Sequence, residues 1–102
     1  MHKEIINAGI QLLPIHTELH PYEWVDAVID IIKESGLEYE VGPFNTSVEG
    51  TYEDLRNLVD SINDFLYQEK CHEWLLNVQY QVRSGGSMRS AEKTDKFREV
   101  KV

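Results

Sequence analysis

Alternation of apolar and polar residues marks a first strand at residues 5–15. Its two faces carry Ile6, Ala8, Ile10 and Leu12 on one side and Asn7, Gly9 and Gln11 on the other. A period of two with one polar face is typical of a strand that is covered on one side only. Pro14 is expected to end this strand or to lie at its rim.

Two longer segments follow the helical period instead. Residues 21–35 carry a wide apolar stripe, with Pro21 in the first turn and Gly36 in place for a left-handed cap. Residues 52–69 repeat the apolar spacing, and Thr51 is the candidate N-cap. We therefore predict helices at about 21–35 and 52–69.

Three further strands complete the pattern. Two short ones within residues 37–50 are joined at Gly42-Pro43, and a longer one occupies residues 72–83. The order β-α-β-β-α-β predicts an α+β, ferredoxin-like fold, in which two helices cover one face of a four-stranded antiparallel sheet. We expect one domain over residues 1–102, in which 84–102 form a Gly/Ser-rich loop and a charged terminal segment.

An amide-rich sheet face follows from this topology. The first and last strands are expected to lie as central and edge strands, so their polar rows would cluster on the helix-free face. The residues concerned are Asn7, Gln11, Asn77, Gln79 and Gln81. Amides suit a semi-polar subunit interface, and the row lacks the exposed aromatics of RNA-binding sheets. Plain exposure to solvent stays open as the alternative.

Charge and cysteine content narrow the function classes. The formal net charge of the 102 residues is −8, which disfavours nucleic-acid partners and anionic membrane surfaces. No stretch approaches the ~20 apolar residues of a membrane span. The single cysteine cannot form a disulfide within the chain, so a reducing cytoplasm is the expected location.

The segment HTELH is the best candidate for metal chemistry. His16 and His20 would share a face if the segment were helical, and His72 lies elsewhere in the chain. Pro14 and Pro21 bracket the segment, so a solvated loop is the favoured interpretation. Nucleophile, phosphate-loop and metal motifs are missing from the sequence, so we expect no catalytic residues, no metal and no cofactor.

The stretch GPFNTSVEGT, residues 42–51, is the best candidate for ligand binding. Alternation would turn Thr46 toward the helices, and Ser47 and Glu49 toward the open face. A hydroxyl and a carboxylate can bind an amino-substituted heterocycle. Alternatively, Thr46 serves β-propensity and Glu49 is an edge charge that opposes aggregation. Spacing alone favours this second interpretation.

A family resemblance reverses that preference. The stretch SGLEYEVGPFNTSVEGTYEDL resembles the signature of the small thiamine-binding, YkoF-like family, and IQLLPI and TDKFREV also fit. The matching positions are Ser35, Gly36, Leu37, Tyr39, Pro43, Thr46, Glu49 and Gly50. Asn45 departs from the pattern, since the family often has glycine there.

The resemblance implies a ferredoxin-like fold, assembly into dimers or tetramers through sheet contacts, and non-catalytic binding of thiamine or its hydroxymethylpyrimidine moiety. Thr46 and Glu49 would then orient the ring, Asn45 and Gln11 would assist, and an apolar neighbour such as Phe44, Ile15 or Trp24 would pack on it. A structural or regulatory assembly module without a small-molecule ligand is the alternative. An enzyme built on His16, Glu18, His20 and His72 is the third and weakest hypothesis.

Overall fold

A computed structural model describes residues 3–84. Its elements follow the predicted order, and their bounds are β1 Ile6–His16, α1 Pro21–Glu34, β2 Glu38–Val41, β3 Thr46–Gly50, α2 Tyr52–Gln68 and β4 Glu73–Gln81. The predicted β-α-β-β-α-β arrangement is therefore confirmed. Of the segment expected at 84–102, residues 85–102 lie outside the described residues.

The four strands form one antiparallel sheet in the order β2-β3-β1-β4. This order places β1 in the centre and β4 at an edge, as the sequence predicted. The strand β1 is much longer than β3, so it pairs with β3 only through Ile6–Ile10 and with β4 along nearly its whole length. Pro14 does not end β1, which continues to His16 after an irregularity between Pro14 and His16.

One hydrophobic core lies between the sheet and the two helices. The apolar row of β1 is buried together with Val48 of β3, and the stripes of α1 and α2 close over it. The buried helical residues are Trp24, Val28 and Ile32 on α1, and Leu55, Leu58, Ile62 and Leu66 on α2. Burial of side chains of this size is the main favourable contribution to folding.

The helix ends are fixed by local hydrogen bonds. The hydroxyl of Thr51 accepts from the backbone N–H of Asp54 at 3.1 Å, which confirms the predicted N-cap of α2. His20 caps α1, because its Nδ1 accepts from the N–H of Tyr22 at 3.2 Å. Gly36 has φ = 77°, which is the left-handed conformation predicted for it. None of the described helices is both long enough and apolar enough to span a bilayer.

Candidate functional site

A small cleft opens beside Thr46, the first residue of β3, where β1 continues without a partner on the β3 side. Its walls are the apolar side of α1, the stretch Ile10–Leu12 of β1, and the turn between β2 and β3. The turn is held by a 2.8 Å hydrogen bond from the N–H of Gly42 to the carbonyl of Asn45. The cleft has a volume of about 120 Å³. Val25, Val28, Ile29 and Ile32 supply its apolar helical wall.

Thr46 contributes a hydroxyl to this cleft. Only 6% of the residue is exposed, since β3 turns it toward the helices together with Val48. The hydroxyl makes no hydrogen bond to another residue within 3–84. No fully enclosed side-chain N or O atom in this range lacks a partner, so the Thr46 oxygen must touch the open space of the cleft. A nearly buried hydroxyl of this kind is suited to a ligand group that donates or accepts a hydrogen bond.

Asn45 and Gln11 also line the cleft, and both reach the helix-free face beside it. The Asn45 amide rests against Gly9: a Cβ added to Gly9 would lie 3.0 Å from Asn45 Nδ2. Asn45 does not need the backbone freedom of glycine, because its φ is not positive. Among the described non-glycine residues, only Lys70 has a positive φ. The departure from the family pattern at position 45 therefore leaves the turn unstrained.

Glu49 lies on the opposite face of the sheet from Thr46. Residues three apart on a strand point to opposite sides, and the cross-strand neighbours of Glu49 are Asn7 on β1 and Glu38 on β2. Glu49 lines a separate shallow depression with Glu38, Glu40 and Ser47. Thr46, Asn45 and Gln11 thus all line this cleft, although the Gln11 amide turns to the helix-free face and bonds Asn77, and Glu49 does not line it.

Of the three apolar candidates for packing on a ring, Phe44 lines the cleft and is 81% exposed. Trp24 is buried, donates its indole N–H to the Thr17 hydroxyl, and packs edge-on against Phe65. Ile15 is exposed further along β1 and does not line the cleft. Phe44 is therefore the aromatic group in position to cover a ligand.

The helix-free face carries the predicted amides in register. Asn7 is opposite Gln81, Gly9 is opposite Gln79, and Gln11 is opposite Asn77. Asn77 Nδ2 donates to Gln11 Oε1 at 3.2 Å. Asn7 is 5% exposed, whereas the three amides of β4 are exposed.

Sequence reasoning missed an apolar end to this face. Leu13 and Leu75 lie directly opposite each other beyond the Gln11–Asn77 pair and are 41% and 52% exposed. The period-two pattern already places Leu13 on the same side as Gln11, so it was the signal that could have found this pair. Leucines at the end of an amide row give the helix-free face a mixed character that is typical of subunit interfaces.

The three described histidines, His16, His20 and His72, do not assemble a larger cluster. The rings of His16 and His72 lie 5.5 Å apart, while His20 is engaged as the cap of α1. Within residues 3–84, no group of three or more His, Cys, Asp or Glu side chains is placed to hold a metal ion. The structure thus gives no support there to the metal-enzyme hypothesis.

Burial perturbs two ionisable groups outside the cleft. Desolvation raises the pKa of the Cys71 thiol, and a hydrogen bond with the backbone of Glu73 offsets part of this rise. Desolvation also raises the pKa of the Tyr80 phenol, with smaller contributions from Tyr52 and the charge of Asp60, while Arg56 lowers it. Neither group lines the cleft, so both shifts belong to the packing of the fold.

Comparisons with known proteins agree with this architecture. The family model described as thiamine-binding protein matches residues 8–98. A UPF0045 protein of Clostridium perfringens is 33% identical over 92 residues, which cover 90% of this chain and 96% of that protein.

Solved structures of other proteins share this fold. A Thermotoga maritima protein, whose proposed role is thiamine biosynthesis or salvage, is 30% identical with a TM-score of 0.81, over 92% of this chain and 99% of that one. A Bacillus cereus domain of unknown function shares the fold at 22% identity and a TM-score of 0.85, over 98% of this chain and 96% of that one. With a family model that matches nearly the whole chain, this protein belongs to the thiamine-binding protein family.

Proposed function

We propose that this protein is a non-catalytic, cytoplasmic binding protein for thiamine or its hydroxymethylpyrimidine moiety, and that the pyrimidine ring occupies the cleft at Thr46. The observation that carries the proposal is the Thr46 hydroxyl, which is nearly buried and has no partner among the described residues. Apolar walls with few directing polar groups are the usual composition of a small-molecule site. Family membership supports the choice of ligand class.

The size of the cleft favours a single ring. Its volume of about 120 Å³ is close to that of an engineered apolar cavity of ~150 Å³ that holds benzene. We therefore place the pyrimidine ring in the cleft, and its substituents and the thiazolium half would extend past Phe44 into solvent. Phe44 could stack on the ligand at the mouth of the cleft, since offset aromatic contacts stabilise such pairs.

Isothermal titration tests this assignment with three compounds: thiamine, hydroxymethylpyrimidine, and the thiazole alcohol that forms the other half of thiamine. We expect saturable heat from the first two compounds and none from the third. Absence of heat and of any thermal shift with thiamine and hydroxymethylpyrimidine at millimolar concentration would contradict the proposal.

A matched pair of variants locates the site. Thr46→Val should weaken binding about twofold to tenfold, because a net hydrogen bond contributes roughly 0.5–1.5 kcal/mol. Glu49→Gln should leave the affinity unchanged if the cleft holds the ligand, since Glu49 lies on the other face. If Glu49→Gln weakened binding and Thr46→Val did not, the site would lie on the helix-free face, with Glu49 as the directing carboxylate.

Homo-oligomerisation, as a dimer or tetramer, is the second part of the proposal and also the basis of the alternative function, an assembly module without a ligand. It is favoured by the exposed Leu13–Leu75 pair next to the amides of the helix-free face. Light scattering should show an oligomer that Leu75→Lys disrupts. Tyr67→Lys serves as the control, since Tyr67 is 79% exposed on α2. A monomeric wild type at high concentration would contradict this part, and the ligand titration separates the two functions.

A further inference from the structure

The central strand has an open edge inside the cleft. Pairing between β1 and β3 stops at Ile10↔Thr46, while pairing between β1 and β4 continues to His16. From Gln11 onward, β1 therefore lacks a neighbour on the β3 side within the described sheet. Backbone groups that point to this side face the cleft instead of another strand.

Pro14 identifies which backbone groups these are. In an antiparallel ladder, successive residues direct their N–H and C=O groups alternately to the two neighbouring strands. Pro14 has no N–H and still keeps its place opposite Trp74, so its nitrogen must face away from β4. Leu12 lies two residues earlier and has the same orientation, which turns its N–H and C=O toward the open edge.

Within residues 3–84, the main chain of Leu12 has no hydrogen-bond partner on the β3 side. Leu12 lines the cleft, and none of the hydrogen bonds that close the β2–β3 turn involves it. Because the Leu12 side chain is buried in the core, the position of its backbone is fixed.

We propose that the N–H and C=O of Leu12 form the recognition edge for the aminopyrimidine ring. This inference deepens the proposed function and rests on it. A 4-aminopyrimidine presents a ring nitrogen that accepts a hydrogen bond, next to an amino group that donates one. The ring nitrogen accepts from the N–H of Leu12, and the amino group donates to its C=O. The ring thus replaces the missing rung of the β1–β3 ladder.

The assignment also defines specificity. In the same orientation, a 4-oxo pyrimidine places an N–H opposite the N–H of Leu12 and a carbonyl opposite the C=O, so both contacts become unfavourable. Thr46 pairs with Ile10, one step along the same edge, and its hydroxyl limits rotation of the ring within the cleft. Backbone groups fixed by a core strand give this discrimination without mobile side chains.

Amide NMR of the ¹⁵N-labelled protein tests the inference with thiamine and its 4-oxo analogue. Thiamine should move the Leu12 N–H resonance downfield and slow its exchange with solvent. The N–H groups of Gln11 and Leu13 face β4 and serve as internal controls that change little. The 4-oxo analogue should bind at least about tenfold more weakly, because two buried polar groups would be left unpaired.

Three results would overturn this assignment, and they separate it from the proposed function. If the Thr46 and Asn45 amides shift with thiamine while Leu12 does not, the Leu12 edge is wrong and the cleft still binds the ligand. If no amide shifts, both proposals fail. If the Leu12 resonance responds to protein concentration instead of ligand, the open edge pairs with a strand of a second chain.

Discussion

Replacement of Thr46 by valine should make the protein more stable and the ligand site weaker. Valine has nearly the same shape as threonine but lacks the hydroxyl, which has no hydrogen-bond partner within the described chain. A fully buried polar group without a partner costs roughly 1–3 kcal/mol. The Thr46 oxygen touches the cleft, so we expect a smaller gain of about 0.5–1 kcal/mol, or a Tm increase of about 2–8 °C.

Urea unfolding followed by tryptophan fluorescence measures this gain, with all variants at one protein concentration because association shifts apparent stability. Thr51→Val is the matched control. It removes the hydroxyl that caps α2 and should lower the free energy of unfolding by about 1 kcal/mol. Replacement of threonine by valine should therefore raise the free energy of unfolding at Thr46 and lower it at Thr51.

Ligand offsets the stability gain of the Thr46→Val variant. Saturating thiamine should stabilise the wild type more than the Thr46→Val variant, since stabilisation grows with ligand concentration relative to Kd. A loss of stability in Thr46→Val without ligand, comparable to the loss in Thr51→Val, would refute the reasoning. It would mean that the hydroxyl is already satisfied and is not available to a ligand.

Three other perturbations follow from particular contacts. Gly9→Ala places a Cβ 3.0 Å from the end of the flexible Asn45 side chain, so titration should show weaker thiamine binding, while urea unfolding should show little change in stability. Because burial raises the pKa of Tyr80 above its ordinary value of 10.0, the neutral phenol stabilises the fold below that pH, and stability should fall as pH rises through the folded-state pKa. Thermal melts across this range should show a smaller alkaline loss for Tyr80→Phe, and an equal loss would contradict the assignment to Tyr80. The Cys71 thiol is 4% exposed with a raised pKa, so a thiol reagent at pH 8 should react slowly with the folded chain and rapidly in urea; equal rates would contradict its burial.

Sequence periodicity was sufficient for the elements and their faces. Alternation in β1 and helical spacing in α1 and α2 determine which side chains enter the core, because a one-residue slip would bury the amides and expose the aliphatic row. Local chemistry also determined the ends of the helices, as the cap at Thr51 and the left-handed Gly36 show.

The composition of the cleft could not be obtained from the sequence in the same way. The motif offers both Thr46 and Glu49 as ligand-binding candidates, although side chains three residues apart on a strand point to opposite faces of the sheet. That separation was implicit in the alternation, but its consequence depended on where a concave space would form.

Tertiary structure alone decided where the cleft forms. The cleft exists because β1 is longer than its pairing with β3 and because α1 covers the step that results. Strand register and helix placement are long-range properties of the packed chain, and a local pattern does not encode them. The sequence by itself determined which residues are apolar, which are polar and how they alternate. The packed fold decided that Thr46, Asn45 and Gln11 share one cleft with the open edge of Leu12, because three segments distant along the chain must meet to enclose it.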